Sequence, residues 1–199
     1  MKQANVTGIA LNLPDSDICY YKNFISPALA TQYFQHFKCS VPWQQDDITV
    51  FGKTYAQPRL TALFGNNEKP YSYSNITMKP HKFTKELLQL KTKIETIAHV
   101  HFTTCLLNLY RTGKDSNGWH ADDEKELGPN PVIASITLGE ERFFHLRHKK
   151  DKDKKHKLLL AHGSLLLMQG ATQHFWQHQI AKTTRPVGER INLTFRVIH

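Results

Sequence analysis

Gly118-Trp119-His120-Ala121-Asp122 sets a histidine and an aspartate two residues apart. On an extended segment side chains alternate, so the two point to one face and can bind one metal ion side by side. A second histidine from a distant strand would complete a two-histidine, one-carboxylate triad. That ligand set leaves positions open on Fe(II) for a cosubstrate and O2. With 12 histidines in 199 residues, one His-x-Asp lies within reach of chance, so the tripeptide gains weight only from its surroundings. His174 and His178, in Gln173-His174-Phe175-Trp176-Gln177-His178, are both candidates for the second histidine. Their even spacing puts both on one strand face, and alternation does not choose between them. On a helix they would sit one turn apart and could bind zinc, but Phe-Trp and the Gly-rich approach favour a strand. His36, His81, His145 and His199 read as ordinary surface or core residues.

The C-terminal segment Arg190-Ile191-Asn192-Leu193-Thr194-Phe195-Arg196 alternates cleanly. Ile191, Leu193, Phe195 and Val197 form an apolar face suited to a core. The opposite face carries Arg190, Asn192, Thr194 and Arg196. An edge strand with this face in water is one explanation. If the strand instead lines an interior, two guanidinium groups there need anions, because an unpaired buried charge is costly. A dicarboxylate fits, since each arginine offers a bidentate fork. Asn108 and Tyr110, in Leu106-Leu107-Asn108-Leu109-Tyr110, share a face just upstream of the metal motif and could serve the same anion.

The elements that must position these groups divide the chain. Residues 28–38 suit a short helix. Residues 84–100 suit a longer one, with Leu87, Leu90, Ile94 and Ile97 at helical spacing, Thr84 as N-cap and Pro80 stopping an earlier start. After residue 101 the sequence predicts short strands at 103–111, 131–138, 141–147, 157–161, 164–169, 174–180 and 189–198, separated by Gly, Pro, Asn and Asp. The reading is one α+β domain over residues 1–199, a jelly roll braced by the helices before it.

Composition bounds the rest. The chain suits one compact domain. Apolar runs fall short of the roughly 18 residues a membrane span needs, and the N-terminus turns polar too soon for a secretory signal. Cys19, Cys39 and Cys105 form no C-x-x-C pair, which argues against a thiolate zinc site or a disulfide framework. The expectation is a soluble intracellular monomer that does not engage membranes, cytoplasmic if bacterial and nuclear if eukaryotic. A net charge of +9 and a pI near 9.5 favour polyanions such as phosphate backbones. The run 148–157, HKKDKDKKHK, reads either as a solvated loop or as an arm that grips phosphates.

Asn-Leu-Tyr, then His-x-Asp-Asp-Glu, then Trp-Gln-His, then Arg-x-Asn-Leu-Thr-Phe-Arg resemble, in order, the signature of the AlkB family of nucleic-acid dealkylases. The similarity runs from about Val50 to Ile198 and is strongest toward the vertebrate DNA-repair branch. The resemblance implies a double-stranded β-helix over about 101–199 and a nucleotide-recognition lid over about 45–80. It implies that His120, Asp122 and His178 are the catalytic residues and hold Fe(II); His178 matches because it ends Trp-Gln-His. Asn108, Tyr110, Arg190, Asn192, Thr194 and Arg196 would hold 2-oxoglutarate, with Arg190 on its distal carboxylate. Asp123 and Glu124 resemble an acidic pair beside the flipped base. Tyr71 and Tyr73 resemble the lid's aromatic pair, Tyr73 stacking the base against His120. Phe51, in Val50-Phe51-Gly52-Lys53, resembles a finger filling the gap left by that base and reads equally as a core phenylalanine. The loop 148–157 stands where relatives grip the complementary strand, though its sequence departs from theirs. The implied activity is demethylation of N1-methyladenine and N3-methylcytosine in alkylated DNA, with O2 consumed. The alternatives are the same chemistry on RNA, or a non-catalytic basic module that binds nucleic acid.

Overall fold

A computed structural model describes residues 7–50, 52–66, 71–73 and 76–199 of the chain. In chain order its first half contains β1 (Ile9–Ala10), β2 (Asp17–Tyr21), α1 (Pro27–Ser40), β3 (Asp47–Val50), β4 (Lys53–Ala56) and β5 (Leu60–Gly65). There follow β6 (Tyr71–Tyr73), β7 (Ile76–Met78), β8 (His81–Lys82) and α2 (Lys85–Ala98). The second half contains β9 (Thr104–Tyr110), β10 (Asn117–His120), β11 (Ile133–Gly139), β12 (Arg142–His148) and β13 (Lys155–Leu160). It closes with β14 (Leu165–Gln169), α3 (Thr172–Phe175), β15 (Trp176–Ile180) and β16 (Arg190–Arg196). No helix of the described residues is long and apolar enough to cross a membrane.

Helix α2 forms where its periodicity places it, except that Ile97 is only partly buried and Ala98 takes the last buried position of the stripe. Leu87, Leu90, Ile94 and Ala98 are buried along one stripe, the Thr84 hydroxyl accepts from Leu87 N, and His99 ends the helix in the left-handed region at φ 55°. In α1 the buried residues are Ala30, Tyr33 and Phe37. These stripes pack with Ile191, Leu193 and Phe195 of β16 in one apolar cluster. The two helices therefore cover one face of a large sheet, whose strand order is β1-β2-β14-β11-β16-β9-β5-β8.

The other face of that sheet meets a four-stranded sheet of order β10-β15-β12-β13. Ile18, Leu106, Ile133 and Leu166 of the large sheet pack there with Phe144, Leu146, Trp176 and Ile180 of the small one. Strand β16, paired with β9 on one side and β11 on the other, is buried along all seven residues because both of its faces are covered. The alternation read in its sequence divides a dry helical side from the space between the sheets. Gly139 ends β11 where the chain leaves the large sheet for the small one. Its φ is +83°, and a Cβ there would lie 2.4 Å from Glu189 O.

Three sequence expectations are corrected. Strands are not confined to the second half: β1, β2, β5 and β8 complete the large sheet. Residues 174–180 do not form one strand, because α3 occupies Thr172–Phe175 and β15 begins at Trp176. The charge run 148–157 is not one loop either, since β12 extends to His148 and β13 starts at Lys155.

Leu87 and Phe195 are fully enclosed, at 0% exposure. Leu87→Ala and Phe195→Ala should each cost about 3 kcal/mol, whereas Leu88→Ala, at a position 46% exposed, should cost less than about 0.5 kcal/mol. Urea unfolding reads the difference, and equal midpoints for the Leu87 and Leu88 variants would contradict the facing of α2.

Candidate active site

The first half of the site is built by two paired strands of the small sheet. His120 ends β10 and lies directly opposite His178 of β15. Asp122 follows two residues later, beyond the strand, and its position is fixed from elsewhere: Asp122 N donates to Gln173 Oε1 of α3 at 2.9 Å. The ligand atoms of His120, Asp122 and His178 all lie within 4.8 Å of one another.

Protonation states suit a cation. Asp122 is buried, which opposes ionisation, but the Arg196 charge outweighs burial and holds the carboxyl at about 2. Arg196 Nη2 donates to Asp122 Oδ1 at 2.8 Å. Burial, helped by His120, pushes His178 down to about 3, and burial likewise lowers His120. Both imidazoles are thus neutral near pH 7. The His120 Nδ1–H donates to Gly118 O at 2.8 Å, which leaves Nε2 as the basic nitrogen; there it accepts from Asn117 Nδ2 at 3.2 Å.

The second half of the site comes from the large sheet. Arg190, Asn192, Thr194 and Arg196 of β16 and Asn108 and Tyr110 of β9 line the same cavity as His120, Asp122 and His178, with Arg59 beside them.

 Arg190 is 1% exposed. Its Nη2 donates to Thr137 Oγ1 at 2.9 Å and its guanidinium lies 5.1 Å from the centre of the Tyr110 ring. Its Nε and Nη1 have no hydrogen-bond partner among the described residues. Burial, with Arg142 adding to it, pushes this guanidinium down to about 10. A buried cation with two free donors is an incomplete structure until an anion reaches it.

Known proteins place this arrangement. The family model described as the 2OG-Fe(II) oxygenase superfamily matches residues 17–196. The chain is 42% identical over 193 residues to the bovine alpha-ketoglutarate-dependent dioxygenase alkB homolog 3, covering 92% of this chain and 67% of the relative. It is 33% identical over 190 residues to the human DNA oxidative demethylase ALKBH2, covering 90% of this chain and 73% of the relative. The chain belongs to the AlkB family of Fe(II)- and 2-oxoglutarate-dependent dioxygenases. The solved structure of OsALKBH1 has the same fold, with a TM-score of 0.64 at 18% identity over 90% of this chain and 97% of that one.

The AlkB-family cofactor and cosubstrate fit the residues present. Two neutral imidazoles and one carboxylate are a donor set for Fe(II), and the two free donors of Arg190 suit one carboxylate of 2-oxoglutarate. Other residues expected from the sequence are already engaged. Asn192 Nδ2 donates to Ser135 Oγ and Ile136 O, Thr194 Oγ1 donates to Asn192 Oδ1, and Asn108 Oδ1 accepts from Arg59 Nε at 2.7 Å. His174 lies outside the site: its Nε2 contacts Pro129 O and Asn130 Oδ1. Asp123 is exposed and pairs with Lys149 at 2.8 Å, while Glu124 has a buried Oε2 with no hydrogen-bond partner among the described residues. Phe51 lies outside the described residues, and of Tyr71 and Tyr73 only the backbone is described.

Sequence reasoning missed Arg59 and Gln173. Each acts through a partner remote in sequence, so nothing local marks it. It also missed His148, which is buried and whose Nδ1 accepts from Lys150 N and Asp151 N, shaping the turn between β12 and β13.

Asp122→Ala would leave Arg196 among the imidazoles without this carboxylate. We expect the metal-free protein to lose about 3 kcal/mol, against less than about 1 kcal/mol for Asp123→Ala at the surface. Calorimetric melting of both variants checks this, and equal Tm values would contradict it.

Proposed function

We propose that this chain reverses alkylation damage in DNA by oxidatively demethylating N1-methyladenine and N3-methylcytosine. The observation that carries the reading is the His120–Asp122–His178 cluster sharing one cavity with Arg190, a buried cation that still has two donors to offer. The demethylase named among the relatives supports the nucleic-acid substrate. So does the net charge of +9.

In this reading Fe(II) is held by His120, Asp122 and His178, and 2-oxoglutarate by Arg190 with Asn108, Tyr110, Asn192, Thr194 and Arg196 around it. When bound, the metal, cosubstrate and O2 supply the oxidising power: 2-oxoglutarate becomes succinate and CO2, and the N-methyl group becomes hydroxymethyl, which leaves as formaldehyde. The protein binds, orients and excludes. Arg190 would bind one carboxylate of the diacid, and the apolar side chains of Phe144, Met168 and Ile180 would keep water from the cavity. Arg196 keeps Asp122 ionised. Both lesions carry positive charge and cannot pair, so extrusion from the stack is cheap. The unpartnered Glu124 oxygen is available to accept from the exocyclic amine of the extruded base. The short hairpins β3–β4 and β6–β7 would carry the lid.

Contact with phosphates falls to the small sheet. A cleft is lined by Arg147, His148, Lys149, Lys152, Lys155 and Gln177, at the turn where relatives would meet the complementary strand.

Two measurements test the reading. Methylated DNA and RNA oligonucleotides, incubated with Fe(II) and 2-oxoglutarate, should lose the mass of one CH2 group per lesion by mass spectrometry; an unchanged mass on every oligonucleotide would refute it, and turnover of RNA alone would reassign the polymer. Neutralising Lys149, Lys150, Lys152, Lys154 and Lys155 should weaken duplex binding more than single-strand binding. Equal losses would remove the complementary-strand role of this turn.

A further inference from the structure

The strand that carries His120 is weakly held by its backbone. It lies at the edge of the small sheet, and its register against β15 shifts between the Asn117↔Ile180 and His120↔His178 pairs. A displaced edge strand would carry one ligand away from the other two. Something beyond the ladder has to fix it.

On the outer face of the same sheet, Arg147 spans three strands. It projects from β12, where it pairs with Gln177 of β15. Its Nε and Nη2 both donate to Gln177 Oε1, at 3.0 and 2.8 Å. Its guanidinium lies 4.3 Å from the centre of the Trp119 ring on β10. Gln177 immediately precedes His178, and Trp119 immediately precedes His120. Strand alternation turns each neighbour outward as its histidine turns inward. One planar cation therefore ties the backs of both histidine ligands together.

We propose that Arg147 is a positioning residue for the metal centre, setting the separation of His120 and His178 through Gln177 and Trp119. The inference rests on the reading of those two histidines and Asp122 as metal ligands. A fork and a ring face are both required: the fork holds Gln177, and the flat guanidinium stacks on Trp119. Groups that orient ligands from behind commonly change metal affinity by roughly 10- to 100-fold when removed.

The test is Mn(II) binding to the full chain, followed by the electron paramagnetic resonance signal of free metal. Arg147→Met should weaken binding about tenfold. Gln177→Leu should weaken it comparably, and Arg147→Lys should fall between Arg147→Met and wild type because it keeps a cation near Trp119 without the fork. The Arg147→Met/Gln177→Leu double variant should lose less than the product of the two single losses, since both break one device. Thermal melting of the metal-free variants separates this from general unfolding: the affinity loss should persist at temperatures where every variant remains folded. Wild-type affinity in Arg147→Met, or multiplicative losses in the double variant, would overturn the proposal. If the wild-type chain bound no Mn(II), the ligand reading and the clamp would fall together; binding that is unchanged by Arg147→Met would remove the clamp alone.

Discussion

Four guanidinium groups, those of Arg59, Arg142, Arg190 and Arg196, are buried between the sheets or at their rim, and their charge has to be answered. Each has a different answer. Arg59 donates to Asn108 Oδ1 and Ser116 O, and Arg142 donates to the carbonyls of Ala181 and Asp115. Arg196 meets the carboxylate of Asp122. Arg190 has a hydroxyl and a ring, which is too little for a full charge. The fold tolerates this because stability elsewhere, in the helix-covered face of the large sheet, is supplied by residues such as Phe37, Leu87 and Phe195. An incompletely satisfied cation inside a well-packed sandwich marks the place where a ligand completes the structure.

The same charges explain why the candidate metal ligands stay deprotonated. Asp122 is buried, yet ionised, because the Arg196 guanidinium lies against it. The imidazoles are neutral because burial disfavours their charge, and for His178 the proximity of His120 adds to it. These effects act in one small volume, so the Arg190 pocket and the His120–Asp122–His178 cluster are electrostatically one site. They also depend on different sheets: β16 and β9 supply the pocket, while β10 and β15 supply the histidines. The spacing of the two sheets is therefore part of the chemistry.

Much of this was legible in the sequence. The period of α2 predicted Leu87, Leu90 and Ile94 of its buried stripe but gave Ile97 where Ala98 is buried, and the alternation of β16 separated the residues that line the cavity from those under the helices. Elsewhere the signal was absent for physical reasons. Strand β5, buried at nearly every position, shows no alternation for a period to reveal. Strands β1 and β8 have two residues each. Even spacing left His174 and His178 equivalent by alternation; the four-residue helix α3, too short to have a period, takes His174 off the strand that carries His178. Arg59 and Gln173 contact partners 49 and 51 positions away, so their roles exist only in the folded chain.

The most direct test of the central claim is calorimetric titration of 2-oxoglutarate into the chain with and without Mn(II). If the metal cluster and Arg190 form one site, the diacid should bind at least about tenfold more tightly with metal present, by a coupling of roughly 1.4 kcal/mol, and Arg190→Met should abolish most of that binding. Equal affinity with and without metal, or full affinity in the Arg190 variant, would contradict the account.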